Sequence, residues 1–291
     1  MRAQRRKVSR VNANPEQAKF WNDLGGQEWV ALQDRLDRQL APLGEAAIAV
    51  ADPQPGQTVL DVGCGCGATT LTLAAAVGSS GSVRGLDISS PMAEVARTRA
   101  AAAGLDQLDV EVGDAQVTSL ATGSYDLVFS RFGVMFFADP VAAFANLRAA
   151  AKPTGRLAFV CWAKPSENAW SAVTGRALMA VLPPQPVPDP LAPGPFAFAD
   201  PERIRQILGD AGWRGIAIEE YRRTLQLGGS TDFDEIVDLS LRIGPASRAL
   251  LGADDALRSA ARDAIVEALR PLHGDDGVLL DGVCWIVSAR P

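Results

Sequence analysis

Three glycines at alternate positions, 63, 65 and 67, separate the apolar strand-like segment Val59-Leu-Asp-Val62 from the helix-forming run Ala68-Thr-Thr-Leu-Thr-Leu-Ala-Ala-Ala76. Glycine carries no Cβ and enters positive φ freely, so the backbone here can turn sharply and approach a ligand closely. The helix that follows turns free N–H groups and the positive end of its dipole toward whatever lies in that turn. Strand, glycine turn and helix in direct succession describe a ligand-binding corner of an α/β protein.

The flanking chain extends the same alternation. Asp52-Pro-Gln-Pro-Gly56 launches a first strand at Thr58–Asp61, and the helix beyond the glycines runs to about Val77. A Gly/Ser turn then leads into Val83-Arg-Gly-Leu-Asp87, which completes a βαβ unit with a right-handed crossover. Further strands are expected at Asp109–Asp114, Ser124–Ser130 and Arg156–Trp162, the last after a Lys152-Pro-Thr-Gly155 turn. Helices fall between them, at Ser90 to Gly104 and Asp139–Arg148. Five alternations of strand and helix predict a doubly wound, mostly parallel α/β sheet.

The outer parts are looser. Residues 15–50 read as a helical lid, with Asn14 as cap, Pro15 in the first turn, and Trp29, Leu32, Leu36 and Leu40 on one face of a single run from Gln27 to Leu40. The basic segment 1–14 reads as a solvated, disordered tail. Residues 51–291 read as one domain with two cap insertions, at about 163–199, which holds a proline-dense extended stretch, and at 233–271, which is helical. A helix capped by Asp200 with Pro201 at its first position, and antiparallel strands at Ile216–Leu227 and Gly277–Ala289, bring the sheet to seven strands.

A formal charge of −6, a pI near 5.0 and the lack of a basic cluster in the N-terminal helices and the two insertions argue against nucleic acid as a partner. No apolar run approaches the roughly 20 residues that a membrane span needs. Four cysteines (Cys64, Cys66, Cys161, Cys284) sit in strand-like or glycine-rich segments, which points to reduced thiols in a cytoplasmic protein and to no metal site.

A glycine turn alone also serves nicotinamide and flavin proteins. Here the spacing is Gly-x-Gly-x-Gly, and the strand before it carries Asp61, whose charge would repel a pyrophosphate. A ligand bearing an ammonium and a carboxylate fits better. With Val59-Leu-Asp-Val-Gly-Cys-Gly-Cys-Gly67, Gly85-Leu-Asp-Ile-Ser89, Gly113-Asp-Ala115, Tyr125-Asp-Leu-Val-Phe-Ser130 and Lys152-Pro-Thr-Gly-Arg-Leu157 in this order, the chain resembles the class I S-adenosylmethionine-dependent methyltransferases over about residues 55–162. Its flavour is that of the small-molecule branch that includes the ubiquinone and menaquinone biosynthesis methyltransferases.

The resemblance implies a Rossmann-like methyltransferase fold and S-adenosyl-L-methionine as donor, with S-adenosyl-L-homocysteine as product. It implies that Gly63 and Gly65 meet the methionyl part, that Asp61 holds its ammonium, and that Asp87 accepts from the ribose hydroxyls. Ile88 and Ala115 would sandwich the adenine, Asp114 would accept from its amine, and Ser130 and Arg131 would lie where donor and acceptor meet. Trp29, Phe132 and Trp162 are candidates for the acceptor pocket. No catalytic residue is unambiguous; Arg131, Tyr221, Glu167 and His273 are candidates, needed only if the nucleophile arrives protonated. His273, the sole histidine, reads first as a solvated loop residue. The expected function is methyl transfer to an O, N, S or C atom of a small, partly apolar metabolite. The alternatives are an inactive cofactor-binding or regulatory protein of the same fold and a nicotinamide-dependent oxidoreductase.

Overall fold

The computed structural model describes residues 13–183, 189–244, 250 and 252–291. Most of the expected N-terminal tail, part of the proline-dense stretch and part of the second insertion fall outside these residues.

The sheet contains β1 (Thr58–Val62), β2 (Ser82–Asp87), β3 (Leu108–Val112), β4 (Tyr125–Arg131), β5 (Ala151–Trp162), β6 (Arg214–Gln226), a two-residue β7 (His273–Gly274) and β8 (Gly277–Arg290). Its order is β3-β2-β1-β4-β5-β8-β6, with β7 paired only to β8. β1 to β5 run parallel; β8 is antiparallel to both β5 and β6. The central strands read as continuous apolar runs because helices cover both faces, and Val59, Leu60, Leu127, Val128, Phe129, Phe159 and Val160 have no exposed surface. Chain order reverses between β1 and β4, which opens a crevice at their carboxyl ends.

The helices are α1 (Pro15–Asn22), α2 (Leu24–Ala31), α3 (Gln33–Ala51), α4 (Ala68–Val77), α5 (Ser90–Ala102), α6 (Pro140–Ala150), α7 (Ala169–Met179), α8 (Pro201–Asp210), α9 (Phe233–Arg242) and α10 (Asp255–Leu269). Several starts follow the chemistry of their caps: Ser89, Asp139, Asp200, Asp232 and Asp254 each accept a backbone N–H of the first turn. α7, α9 and α10 build a second apolar cluster around Ile236, Val237, Ala261, Ile265 and Leu269 at the β8 side of the sheet.

Three expectations need correction. The run from Gln27 to Leu40 is not one helix: it breaks at Leu32, so Trp29 belongs to α2 and Leu36 and Leu40 to α3. Asn14 makes no side-chain cap; its Nδ2 donates to the Phe136 carbonyl at 2.7 Å and so ties the start of α1 to the segment after β4. The residues 152–155 lie within β5 rather than before it, although the pairing jumps from Tyr125/Ala151 to Leu127/Arg156 and leaves them as a local excursion.

α3 is clamped from both ends. Leu43, Ala47 and Ala51 press on the sheet, while Arg35 Nε and Arg38 Nε donate to the carbonyls of Gly228 and Gly229 and Gln39 Oε1 accepts from Gly228 N.

Asn168, fully buried before α7, ties that helix to the sheet. Its Nδ2 donates to Val283 O at 3.1 Å, and its Oδ1 accepts from Val283 N at 3.0 Å and Trp170 Nε1 at 3.2 Å. Asn168→Ala should lower unfolding free energy by about 2–4 kcal/mol, since a buried N–H loses its partner, read as a lower urea midpoint at unchanged slope.

Candidate active site

The crevice floor is backbone on backbone. Gly63, Gly65 and Gly67 all take positive φ (67°, 55° and 86°). A Cβ on Gly63 would stand 2.7 Å from Gly133 Cα, and one on Gly133 would stand 2.6 Å from Val62 O. The turn after β1 and the turn after β4 therefore touch through their main chains. Gly67 serves packing, since a Cβ there would stand 3.0 Å from Ala96 Cβ of α5. Gly63 N and Cys64 N both reach Leu86 O, so the end of β2 holds the turn in shape.

Asp61 lies fully buried beneath this turn. Its Oδ2 accepts from Thr69 Oγ1 at 3.0 Å and Thr70 Oγ1 at 2.7 Å, both in the first turn of α4. Its Oδ1 has no hydrogen-bond partner among the described residues. Burial raises its pKa to about 6, opposed by the two threonine hydroxyls and by the Arg131 charge.

Asp87 closes β2 and is bound into the same frame, its Oδ2 accepting from Gly65 N at 2.7 Å and its Oδ1 from Ser89 N at 2.8 Å. Burial raises its pKa as well. Each oxygen keeps a lone pair for a further donor. Asp114 follows β3; its Oδ1 caps Gln116 N, and its buried Oδ2 has no partner among the described residues. Ala115 is buried beside it, and Ile88 is half-buried past Asp87. Asp61, Asp87 and Asp114 thus stand at or just past the carboxyl ends of three adjacent parallel strands.

Ser130 has a different task from the one expected of it. Its hydroxyl donates to Val62 O at 2.7 Å and accepts from Gly133 N at 3.2 Å, which lashes β4 to β1 in the interior. Arg131 is nearly buried, its stem against Gly44 of α3 and its Nη2 3.5 Å from Asp37 Oδ1. Asp37 also pairs with Arg99 of α5 at 2.9 Å, and Arg99 Nη1 donates to Cys66 O at 2.7 Å. The Cys66 thiol, mainly through burial, is pushed up to about 12 and stays protonated.

The N-terminal helices rest on the same loops. Asn22 Nδ2 donates to Ile88 O at 2.9 Å while its Oδ1 accepts from Ser90 N at 2.8 Å, and Ser89 Oγ donates to Trp21 O at 2.6 Å. Beyond Arg131, Phe132 holds a left-handed φ of 59°, rare for a bulky side chain. Its ring stacks on Trp162 (4.4 Å between centroids, 14° between planes). Trp162 meets Trp170 at 4.9 Å, and Trp170 meets Phe196 at 6.0 Å. Trp170 also walls a cavity of about 30 Å³ between α3, α7 and α9, with Leu36, Gln39, Thr174, Leu239 and Ile243. A larger groove of about 270 Å³ lies along α5 and β3, past Leu105 and Leu108, at the opposite end of β3 from Asp114.

The other candidates scatter. Trp29 packs edge-on against Trp21. Tyr221 is on the edge strand β6, in register with Cys284 and through it with Trp162, two strands away. His273 contacts Thr231 O and the Phe233 ring in the β7–β8 hairpin. Glu167 sits in the short turn before Asn168. Residues that sequence reasoning passed over include Thr69 and Thr70, Gly133, Asp37 and Asn22. Only the two threonines gave a local signal, two hydroxyls opening the helix directly behind the glycines.

Residues 59–155 match the family model described as methyltransferase domain. The chain is 32% identical over 214 residues to nocamycin O-methyltransferase of Saccharothrix syringae, an alignment covering 72% of each. It is 35% identical over 127 residues to aklanonic acid methyltransferase of a Streptomyces species, covering 43% of this chain and 58% of that relative. Among solved structures, the YcgJ protein of Bacillus subtilis superposes with a TM-score of 0.57 at 16% identity, over 85% of this chain and 97% of that one.

Two substitutions test the frame. Gly63→Ala should cost about 2 kcal/mol or more, because it meets both a positive φ and a backbone contact; calorimetric unfolding measures it. For Asp61 the raised native pKa means that the unfolded chain ionises first, so stability is lost as pH rises from about 4 to about 6. Urea titrations of Asp61→Asn and the parent protein should therefore shift in favour of the variant across that window, by up to about 3 kcal/mol.

Proposed function

The chain belongs to the S-adenosylmethionine-dependent methyltransferases, and we propose that it transfers the donor's methyl group to an O, N, S or C nucleophile of a small, partly apolar metabolite. The donor's chemistry, when bound, is an activated methyl on a sulfonium.

The observation that carries the reading is Asp61 Oδ1, a buried carboxylate oxygen that lies beside a glycine cradle and has no hydrogen-bond partner among the described residues. Asp61 would hold the donor's ammonium, which would in turn favour the ionised carboxylate. Asp87, fixed by Gly65 N and Ser89 N, would accept from the ribose hydroxyls with its remaining lone pairs. Asp114 Oδ2, also partnerless among the described residues, would accept from the adenine amine between Ile88 and Ala115. Arg131 would face the donor's carboxylate, and its pairing with Asp37 holds it in place.

For the acceptor, the aromatic row Phe132, Trp162, Trp170 and Phe196 supports an apolar, ring-bearing molecule. It leads from the end of β4 through β5 to α7 and the segment that carries Phe196. The relatives named for nocamycin and aklanonic acid support a small-molecule acceptor. In this reading α1 to α3 form a lid, and 163–199 with 233–271 form the cap. The acceleration comes chiefly from holding the nucleophile in line with the methyl group. Four free, buried thiols support work in a reducing compartment such as the cytoplasm, and the net charge of −6 supports a partner other than nucleic acid.

Titration calorimetry with S-adenosylhomocysteine should give roughly micromolar binding, weakened at least about tenfold in Asp61→Asn and Asp87→Ala. Turnover of methyl-labelled donor on a panel of phenols and ring carboxylic acids should then yield labelled product. Absence of heat in the folded parent protein, at millimolar ligand, would falsify the donor assignment.

A further inference from the structure

β6 ends the sheet: among the described residues its one strand neighbour is β8. It is thirteen residues long and mostly exposed. A free edge of this length offers a row of unpaired N–H and C=O groups to any second strand. Its centre reads Glu219-Glu220-Tyr221-Arg222-Arg223, and all four charged side chains are exposed. Two acids, a tyrosine and two bases make a sequence that is complementary to itself when reversed.

We infer that β6 is a homodimer interface, in which two copies pair edge to edge and antiparallel about a two-fold axis through Tyr221. That register sets Glu220 against Arg222 of the second copy and Glu219 against its Arg223, on both sides of the axis. Ile218 then faces Thr224, and Tyr221 faces itself. Side chains alternate across a strand, so Glu220 and Arg222 act on one face of the joined sheet and Glu219 and Arg223 on the other. Glu220 and Arg222 already pair within one strand at 3.3 Å, and the second copy would extend that pair to a four-charge cluster.

The register is selective. In a continuous two-fold sheet, opposed residues share a face, so the axis must pass through a residue rather than between two. Moving it to Glu220 sets that acid against itself; moving it to Arg222 does the same with the base. Like charges directly opposed are unfavourable, so the axis through Tyr221 is the one that pairs every charge of this segment. The carboxyl end of β4 lies three strands in from the edge, about 14 Å at the usual strand spacing. The joined dimer therefore leaves the crevice open.

Sedimentation velocity of the full chain at low ionic strength tests this. The parent protein should sediment at twice the 30.7 kDa of one chain and dissociate as salt is raised. Glu219→Arg/Glu220→Arg and Arg222→Glu/Arg223→Glu should each be monomeric, with dimerisation weakened about a hundredfold or more. An equimolar mixture of the two variants should restore a dimer, because an all-base strand then meets an all-acid one. Both should keep the circular dichroism and S-adenosylhomocysteine binding of the parent, which separates this test from that of the donor site. A parent protein still monomeric at about 100 µM overturns the inference, as does a dimer that both variants retain or a mixture that fails to associate. Should one variant not fold, the fourfold exchange of both acids and both bases keeps the test, since it must dimerise as the parent does.

Discussion

Everything at the crevice depends on two main chains coming into contact where β1 and β4 end. Gly63 and Gly133 approach so closely that neither tolerates a Cβ, and Ser130 spans the same gap with one hydroxyl that serves as donor and acceptor. Because this floor is backbone, its position is set by the sheet ladder rather than by side-chain rotamers. Asp61, Asp87 and Asp114 inherit that precision, each at or just beyond the end of a strand whose neighbours fix it. A site built on strand ends is held more rigidly than one built on free loops.

The electrostatics follow from the same crowding. Asp61 is buried with one oxygen satisfied by two threonine hydroxyls and one unsatisfied, so the fold holds a carboxylate at a cost until a cation meets it. Arg131 moderates that cost from a distance and is itself steadied by Asp37, which also engages Arg99. One acid of α3 thereby links the end of β4 to α5 and, through Arg99, to the glycine turn at Cys66 O. This destabilised arrangement is of the kind that functional sites retain.

Much of this was legible in the chain. Local chemistry announced the glycine turn, the cap at Asp200 and the five parallel strands, because each depends on residues within a few positions of one another. Features that depend on distant partners were not. Asn14 and Pro15 look like a helix start, yet the asparagine side chain goes to Phe136, 122 residues away. Ser130 looks ligand-facing at a strand end until Val62 and Gly133 are seen to consume its hydroxyl. The break at Leu32 could not be read from periodicity, since Trp29, Leu32, Leu36 and Leu40 suit one long face. Leu32 and Leu36 instead pack with Leu239 of α9, more than 200 positions away.

The two hydrogen bonds of Asn22, one to Ile88 O and one from Ser90 N, carry a consequence of reciprocity. They join the chain's first helices to the loop that continues from Asp87, so any free energy gained by ordering that loop is shared with α1. Thermodynamic linkage makes such sharing symmetric. Whatever orders the loop also orders α1, and whatever frays α1 loosens the loop by the same amount. The free energy of ordering this loop is thus set partly by a helix outside the sheet.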